Sequence, residues 1–566
     1  MSSRLLARAV RIGLVLSLVA VVLGCRWAVI DRYGSDLPNW DQWDAEALYT
    51  LHPWFQHHLT LSLLLQPHNE HRIVLTKLLN LGLTQADGQW DQRLECVVNA
   101  LLPAAIAVGW MALASSFLPR KWLAPLWLLI AVAYAAPLSW QNVIAGFHSQ
   151  QFFLIGLSFA ALAGLTMAEA WTAGWWLGAV SGVLALGSMA SGFFAAPLAA
   201  MLLLCRRARG ETTAALLPTL VLGAAVGAGG WLAKAPQPGH DVLRAHSAAE
   251  FLLSVLRSLQ WPIVNHTAPF SRPAWVALAL WLPWAWLVAR MVRGAQPGAR
   301  GRAGWVLVGL GAWTLLQIAA TAYARGAGAE PPAPRYVDTL VIGALSNALA
   351  LAWLAGEAAG TKRWALAAAG ALWIGVFGCG IRAELEHNFG LELPAFRAFY
   401  LSAQRSVRDY LATGDPGSLR PGAVPYPSIP VLIDRLGLAD VRAILPESVR
   451  RPVAIEAVAE SAGFSAPGTS PATPPLADRR TWGSFAARNG VASWASVPVT
   501  AADGWLEFET AGQAGRPGVS IELRDPGSRR ILAEVSPSRV PGDGWRAAYV
   551  RAPRGPFVVT AEVSES

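Results

Sequence analysis

Apolar runs close to bilayer length recur through the first two-thirds of this chain, and nothing else in the sequence constrains its fold as strongly. A helix needs about 20 apolar residues to cross the hydrocarbon core, where each backbone polar group must be paired within the segment. Such runs lie near 10–30, 96–118, 122–139, 152–171, 174–188, 191–205, 213–233, 274–292, 304–323, 337–356 and 364–381. The runs at 174–188 and 191–205 are short and share the break "GSMASG", which reads as a tight pair of spans or as part of one long tilted helix. Only 14% of the 566 residues are charged, against about 25% in soluble proteins. The expected architecture is a polytopic α-helical membrane protein of about 11 transmembrane helices.

Basic residues then set the orientation. The formal charge of +9 reflects Arg and Lys bunched in short loops, the pattern of cytoplasmic loops rather than of a nucleic-acid binder. With Arg4, Arg8 and Arg11 cytoplasmic, the remaining basic loops are Arg120-Lys121, Arg206-Arg207-Arg209, 290–302 and Lys362-Arg363. This parity requires 174–205 to cross twice. The long segments 31–95, 139–151, 234–273 and 325–336, and everything after 382, then face outward, to the periplasm of a bacterium-like inner membrane. The start "MSSRLLARAVRIGLVLSLVAVVLGC" has signal-like features, but apolar residues continue through Ile30 and it reads better as an uncleaved first span, with Arg26 snorkelling. The four cysteines show neither a disulfide framework nor zinc spacing.

Three regions follow: 1–393 with the external loop 31–95, a helical connector and Ser/Pro-rich linker at 394–481, and 482–566. The last alternates apolar and polar residues in short runs such as "GVSIELRD" and "PFVVTAEV", separated by Gly/Pro/Asp turns. That is the pattern of an all-β sandwich or jelly roll. Its Trp482, Trp494, Trp505 and Trp545 read as core or strand-edge residues, with sugar stacking as the alternative.

The chemistry-bearing residues gather on the external side. In "DLPNWDQWDAEALY", Asp36, Asp41, Asp44 and Glu46 follow the first span closely. Such carboxylates serve as a general base or hold a divalent cation, while "DQWDAEAL" also fits an Asp-capped helix start. Trp40 and Trp43 are expected at the membrane interface. In "PHNEHR", helix capping accounts for Pro67, Asn69 and Glu70 but leaves His68, His71 and Arg72 unexplained. His68, Glu70 and His71 suit a divalent cation; with Arg72 the same group suits phosphate or sugar. The following "RIVLTKLLNLGL" reads as an interfacial helix with Arg72 and Lys77 near headgroups. Gln141, Asn142, His148, Gln150 and Gln151 in "SWQNVIAGFHSQQ" suit a hydroxyl-rich ligand or cap helix ends. Tyr323, Arg325, Arg335 and Tyr336 flank a Pro/Gly-rich external loop, where Arg fits a lipid-phosphate clamp or a surface anchor.

The placement of "NWDQWDAEA", "PHNEHR", "SMASGFFAAPLAA" and "ARGAGAEPPAPRY" over residues 10–390 resembles the C-type superfamily of integral-membrane glycosyltransferases. The resemblance implies transfer of a sugar, with inversion, from a polyprenyl-phosphate donor to an envelope glycan, lipid or protein. By position Asp41 or Asp44 would deprotonate the acceptor, and Arg325 or Arg335 would hold the leaving phosphate. Many members carry an acid in the second external loop; residues 139–151 here have none. A lipid-linked glycan transporter or flippase, which needs charged groups buried within the spans, and a non-catalytic glycan-binding envelope protein are the rival expectations. Acids are scarce in the spans, and Gln317 is the most central polar residue.

Overall fold

A computed structural model describes residues 3–450 apart from 212, 236, 266–269, 295, 297 and 421, together with 483, 491–501, 505–537 and 540–564. The linker at 464–480 and Trp482 lie outside the described residues. The chain divides into two compact units, 1–403 with 420–444, and 404–419 with 445–566.

In the first unit, each of the eleven apolar runs falls on a helix. Eight helical stretches are long and apolar enough to cross a membrane: Ala9–Tyr33, Gln92–Ser115, Gly146–Met167, Ala190–Ala208, Ala274–Arg293, Gly298–Arg325, Pro334–Ala355 and Thr361–Thr413. Ala173–Gly187 and Leu216–Leu232 are shorter apolar helices, and Leu123–Ala135 is another. The run at 174–205 is not one helix. Met189 is extended, with φ −141° and ψ 162°, between two short turns of 3-10 helix. The small residues of the break permit a tight reversal: a Cβ on Gly192 would lie 1.8 Å from the Ala185 carbonyl oxygen. Beyond the break, Gly182 and Ala196 face each other closely enough that an added Cβ would sit 3.3 Å from the Ala196 methyl.

Large aromatic residues fill the bundle. Trp110, Trp305, Trp313 and Trp353 are all fully buried, so Trp is not confined to interfaces. Trp43 is likewise enclosed, donates to the Pro38 carbonyl at 2.9 Å and packs edge-on against Trp90, whereas Trp40 is exposed. Arg26 does not snorkel. It lies inside the bundle, donates to the Tyr134 carbonyl at 2.7 Å, stands 4.0 Å from Asp338 and covers the Phe152 ring. Two acids just beyond the ends of apolar runs are enclosed as well: Glu95 is 3% and Glu384 4% exposed.

In the second unit, six strands form two antiparallel sheets: β1 (Ala492–Ala495), β2 (Trp505–Gly512), β3 (Val519–Arg524), β4 (Ile531–Glu534), β5 (Gly542–Arg551) and β6 (Val558–Val563). One sheet has the order β1-β6-β3-β4, and β2 pairs with β5 in the other. Both contribute to one core, with Trp494 from β1, Leu523 from β3, Ala548 and Val550 from β5 and Val559 from β6. Trp494 is thus a core residue, as its alternation with exposed neighbours predicts.

Candidate functional site

The segment after the first span begins without an acid cap. Gln42 occupies the N-cap of a π-helix, Trp43–Leu51, and makes no capping bond. Its side chain turns inward instead. Gln42 Nε2 donates to Glu46 Oε2 at 2.8 Å and to Glu95 Oε2 at 3.2 Å. Asn80 Nδ2 donates to Glu95 Oε1 at 2.6 Å and Glu46 Oε2 at 3.1 Å, and Trp90 Nε1 donates to Glu46 Oε2 at 2.9 Å. Burial pushes the Glu46 carboxyl up to about 8, although the bonds from Trp90 and Gln42 pull the other way. This enclosed acid pair ties the first loop to the start of the second span. Glu95 was not singled out from the sequence. The "QADGQWDQRLE" run carries the signal, a Glu one turn after an Asp-capped helix start.

Turning inward leaves Asp41 at the surface, with its side chain 48% exposed and its Oδ1 3.4 Å from His68 Nε2. Burial opposes ionisation here, but His68, with His148 and Arg335 further off, holds the carboxyl below its ordinary value. Asp44 has a different fate. Arg435 Nη2 and Nε reach its Oδ1 at 3.0 and 3.2 Å, and the Tyr426 hydroxyl donates to its Oδ2 at 2.6 Å. Of the two candidate bases, Asp44 fastens residues 426 and 435 to the loop and Asp41 keeps free oxygen surface.

"PHNEHR" is a reverse turn, not a helix start. The backbones of His68 and His71 exchange hydrogen bonds of 2.8 and 3.0 Å, and Asn69 sits at φ 50°, a left-handed position that Asn tolerates better than most residues. Helix formation waits until Val74–Asp87. The turn fans its side chains to different partners. Glu70 accepts two bonds of 2.9 Å from Arg325 and one of 2.7 Å from His240 Nδ1. Burial disfavours the Glu70 carboxylate, yet these partners hold it down to about 2. His71 Nδ1 accepts the Ala190 N–H at 3.1 Å. Burial, against the pull of Glu70, keeps its ring neutral with a value of about 4, so the proton belongs on Nε2. Arg72 donates to the Leu65 and Ala233 carbonyls. Lys77 is not at the headgroups: it is 1% exposed, and its Nζ bonds the carbonyls of Leu63, Leu64 and Gln66 at the end of a short helix.

The remaining candidates lie on the segments 139–151 and 325–336. His148 Nδ1 donates to the Gln141 carbonyl at 3.2 Å, and the Phe147 ring stands edge-on to His68. Asn142 donates to the Arg335 carbonyl at 2.8 Å and to Asp338 at 2.9 Å, which spends its amide on positioning Arg335. Arg335 lies over the Tyr336 ring, and Arg325 also reaches the Tyr336 hydroxyl. Gln141 Oε1 and Gln150 Oε1 are buried without a protein partner. Around Asp41 the fold therefore gathers His68, His71, His148 and Arg335, with Glu70, His240 and Arg325 as an adjoining ion-paired group. Among the described residues no three His, Cys, Asp or Glu side chains are grouped to hold a metal ion. His68, Glu70 and His71 in particular are divided among separate partners. His240 was missed because "QPGHD" carries no helical or strand period and its partner lies 170 residues away.

Compared with family models, with characterised proteins and with solved structures, the chain finds no match in any of the three.

Proposed function

We propose that this chain is a membrane glycosyltransferase that moves a sugar from a polyprenyl-phosphate donor to an envelope glycan, lipid or protein acceptor at the external face. The observation that carries the reading is Asp41, an ionised, half-exposed carboxylate beside His68 and within the field of His148 and Arg335. Asp41 takes the proton of an acceptor hydroxyl as that oxygen forms its bond to the anomeric carbon. The bond from that carbon to the phosphate oxygen breaks on the opposite side, and its electron pair leaves with the polyprenyl phosphate, so the configuration inverts. Arg335 and the Nε2–H of neutral His71 suit the growing phosphate charge. Arg325 suits it less, because Glu70 already neutralises it.

The orientation belongs to the same proposal: about 11 spans, a cytoplasmic N-terminus and an external C-terminal β domain. Its support is that polar contacts between loops sort by the parity of eleven crossings. His71 meets Ala190, Glu70 meets His240 and Arg325, and Arg72 meets Ala233, all in segments assigned outside. Arg206 meets Glu211 and Arg290 meets Glu357, beside the short basic loops assigned inside, and Arg206 also reaches the Thr166 carbonyl near the inner end of the 152–171 run.

The deciding experiment is sugar transfer from a radiolabelled polyprenyl-phosphate sugar by membranes carrying Asp41→Asn. Unchanged transfer removes the base. A second reading, transport of a lipid-linked glycan, draws on the enclosed Arg26–Asp338 pair and on Glu384. Translocation in vesicles without formation of a glycosidic bond would favour it.

A further inference from the structure

Beside the helix Leu61–Leu65 lies an open cavity of about 540 Å³, lined by Leu61, Ser62, Leu65, Gln66, Pro67 and Arg72. None of these six supplies the groups around Asp41. Leu61 and Leu65 turn apolar side chains outward, 70% and 43% exposed. Arg72 is fixed in place, with Nη1 donating to Leu65 O at 2.6 Å and Nε to Ala233 O at 3.2 Å. Among the described residues no carboxylate pairs with it, and its Nη2 has no protein partner.

The bond to Ala233 also sets the depth of the cavity. Ala233 follows Trp231 and Leu232, which are 64% and 83% exposed at the end of an apolar helix. Lys234 Nζ stands 3.1 Å over the Trp231 ring. Exposed Trp beside cationic residues marks the boundary between lipid tails and headgroups. A guanidinium tied to that boundary, in a groove that also exposes two leucines, matches an anionic headgroup and its chain.

We propose that this groove docks the phosphate of a membrane lipid, with Arg72 on the phosphate oxygens and the lipid chain along Leu61 and Leu65. The apolar wall is what favours a lipid over free phosphate. A guanidinium pairs bidentately with phosphate, and here its position is fixed before the lipid arrives, which limits the ordering cost of binding. The proposal does not rest on Asp41 as a base.

The test is native mass spectrometry of the full chain in an uncharged detergent, titrated with dodecyl phosphate and, separately, with inorganic phosphate. Arg72→Gln is expected to weaken dodecyl phosphate binding about tenfold or more, with Arg72→Lys intermediate. Because Arg72 also holds two carbonyls, Ser62→Trp serves as a second variant. Ser62 lines the groove and makes neither of those bonds, and a Trp there is expected to weaken binding similarly. Wild-type binding in both Arg72→Gln and Ser62→Trp would overturn the proposal. So would displacement of dodecyl phosphate by an equal concentration of inorganic phosphate. Sugar transfer by Asp41→Asn is a separate readout, so either idea can fail alone.

Discussion

Glu70 and Arg325, 255 residues apart in the chain, meet through two hydrogen bonds of 2.9 Å each. The pair joins the turn at 68–71 to the end of the helix Gly298–Arg325, with His240 as a third member. Removing one partner strands the other charge in a half-buried place. Glu70→Ala is therefore expected to cost about 2–4 kcal/mol and to lower the thermal midpoint in detergent. Because the folded carboxyl is held near 2, well below its ordinary 4.5, its contribution is complete above pH 4.5 and fades as pH falls toward 2. Thermal unfolding of wild type and Glu70→Gln across that range checks the sign. The wild type should lose its advantage over the variant on acidification.

Asp41 and Asp44 are three residues apart and look equivalent in sequence, but the fold gives them different work. Asp44→Ala removes the partner of both Arg435 and Tyr426 and should destabilise the protein by about 1–3 kcal/mol. Asp41→Asn removes no comparable anchor. Its predicted effect is a fall of about 10²–10⁴ in the rate of sugar transfer with little change in the thermal midpoint. The reverse pattern, with stability lost in Asp41→Asn and transfer lost only in Asp44→Ala, would exchange the two assignments.

The enclosed pair Glu46 and Glu95 predicts a pH dependence of the opposite sign to that of Glu70. Burial raises the Glu46 carboxyl from 4.5 to about 8. The folded state therefore binds a proton that the unfolded chain has already released. The resulting stability is fully present below pH 4.5 and is lost as pH rises through 8. Glu46→Gln imitates the protonated acid and should flatten the decline between these limits. Hydrogen exchange over the helix Val74–Asp87, which carries Asn80, reports the local effect. An unchanged slope in the variant would mean that Glu46 is ionised in the folded state.

What could be read ahead of the structure follows the range of the interactions involved. Each apolar run became a helix because the signal, unbroken hydrophobicity over a span's length, is contained in the run itself. The strands of 482–566 were legible for the same reason, since alternation is local. The outward cluster was legible as a set of polar residues but not as contacts. "PHNEHR" reads as a cap, a cation site or a phosphate or sugar site, and the contacts that its His71 and Glu70 make with Ala190, His240 and Arg325, all distant in sequence, leave no signal in the run itself. Lys77 and Arg26 misled because a lone cation in an apolar run usually reaches for water. Here backbone carbonyls satisfy both, and carbonyl positions leave no trace in composition.

Gly146 and Gly82 offer the sharpest comparison, because the same substitution should move them in opposite directions. A Cβ on Gly146 would lie 2.5 Å from Glu95 Oε2 and 2.7 Å from Glu95 Cβ, while Asn99 donates to the Gly146 carbonyl at 2.6 Å. Gly146→Ala must push apart the acid pair and the strand of chain that carries Phe147 and His148. The expected cost is about 1–3 kcal/mol, with transfer reduced beyond what the stability loss explains. Gly82 sits on the exposed side of the helix Val74–Asp87, and a Cβ there meets nothing within 4 Å. Gly82→Ala removes backbone freedom from the unfolded chain and should stabilise by about 0.5–1 kcal/mol. Thermal midpoints of the two variants, measured in one detergent, test both. Tolerance of alanine at 146 would show that Glu95 does not press against that backbone, and the acid pair would lose its link to His148.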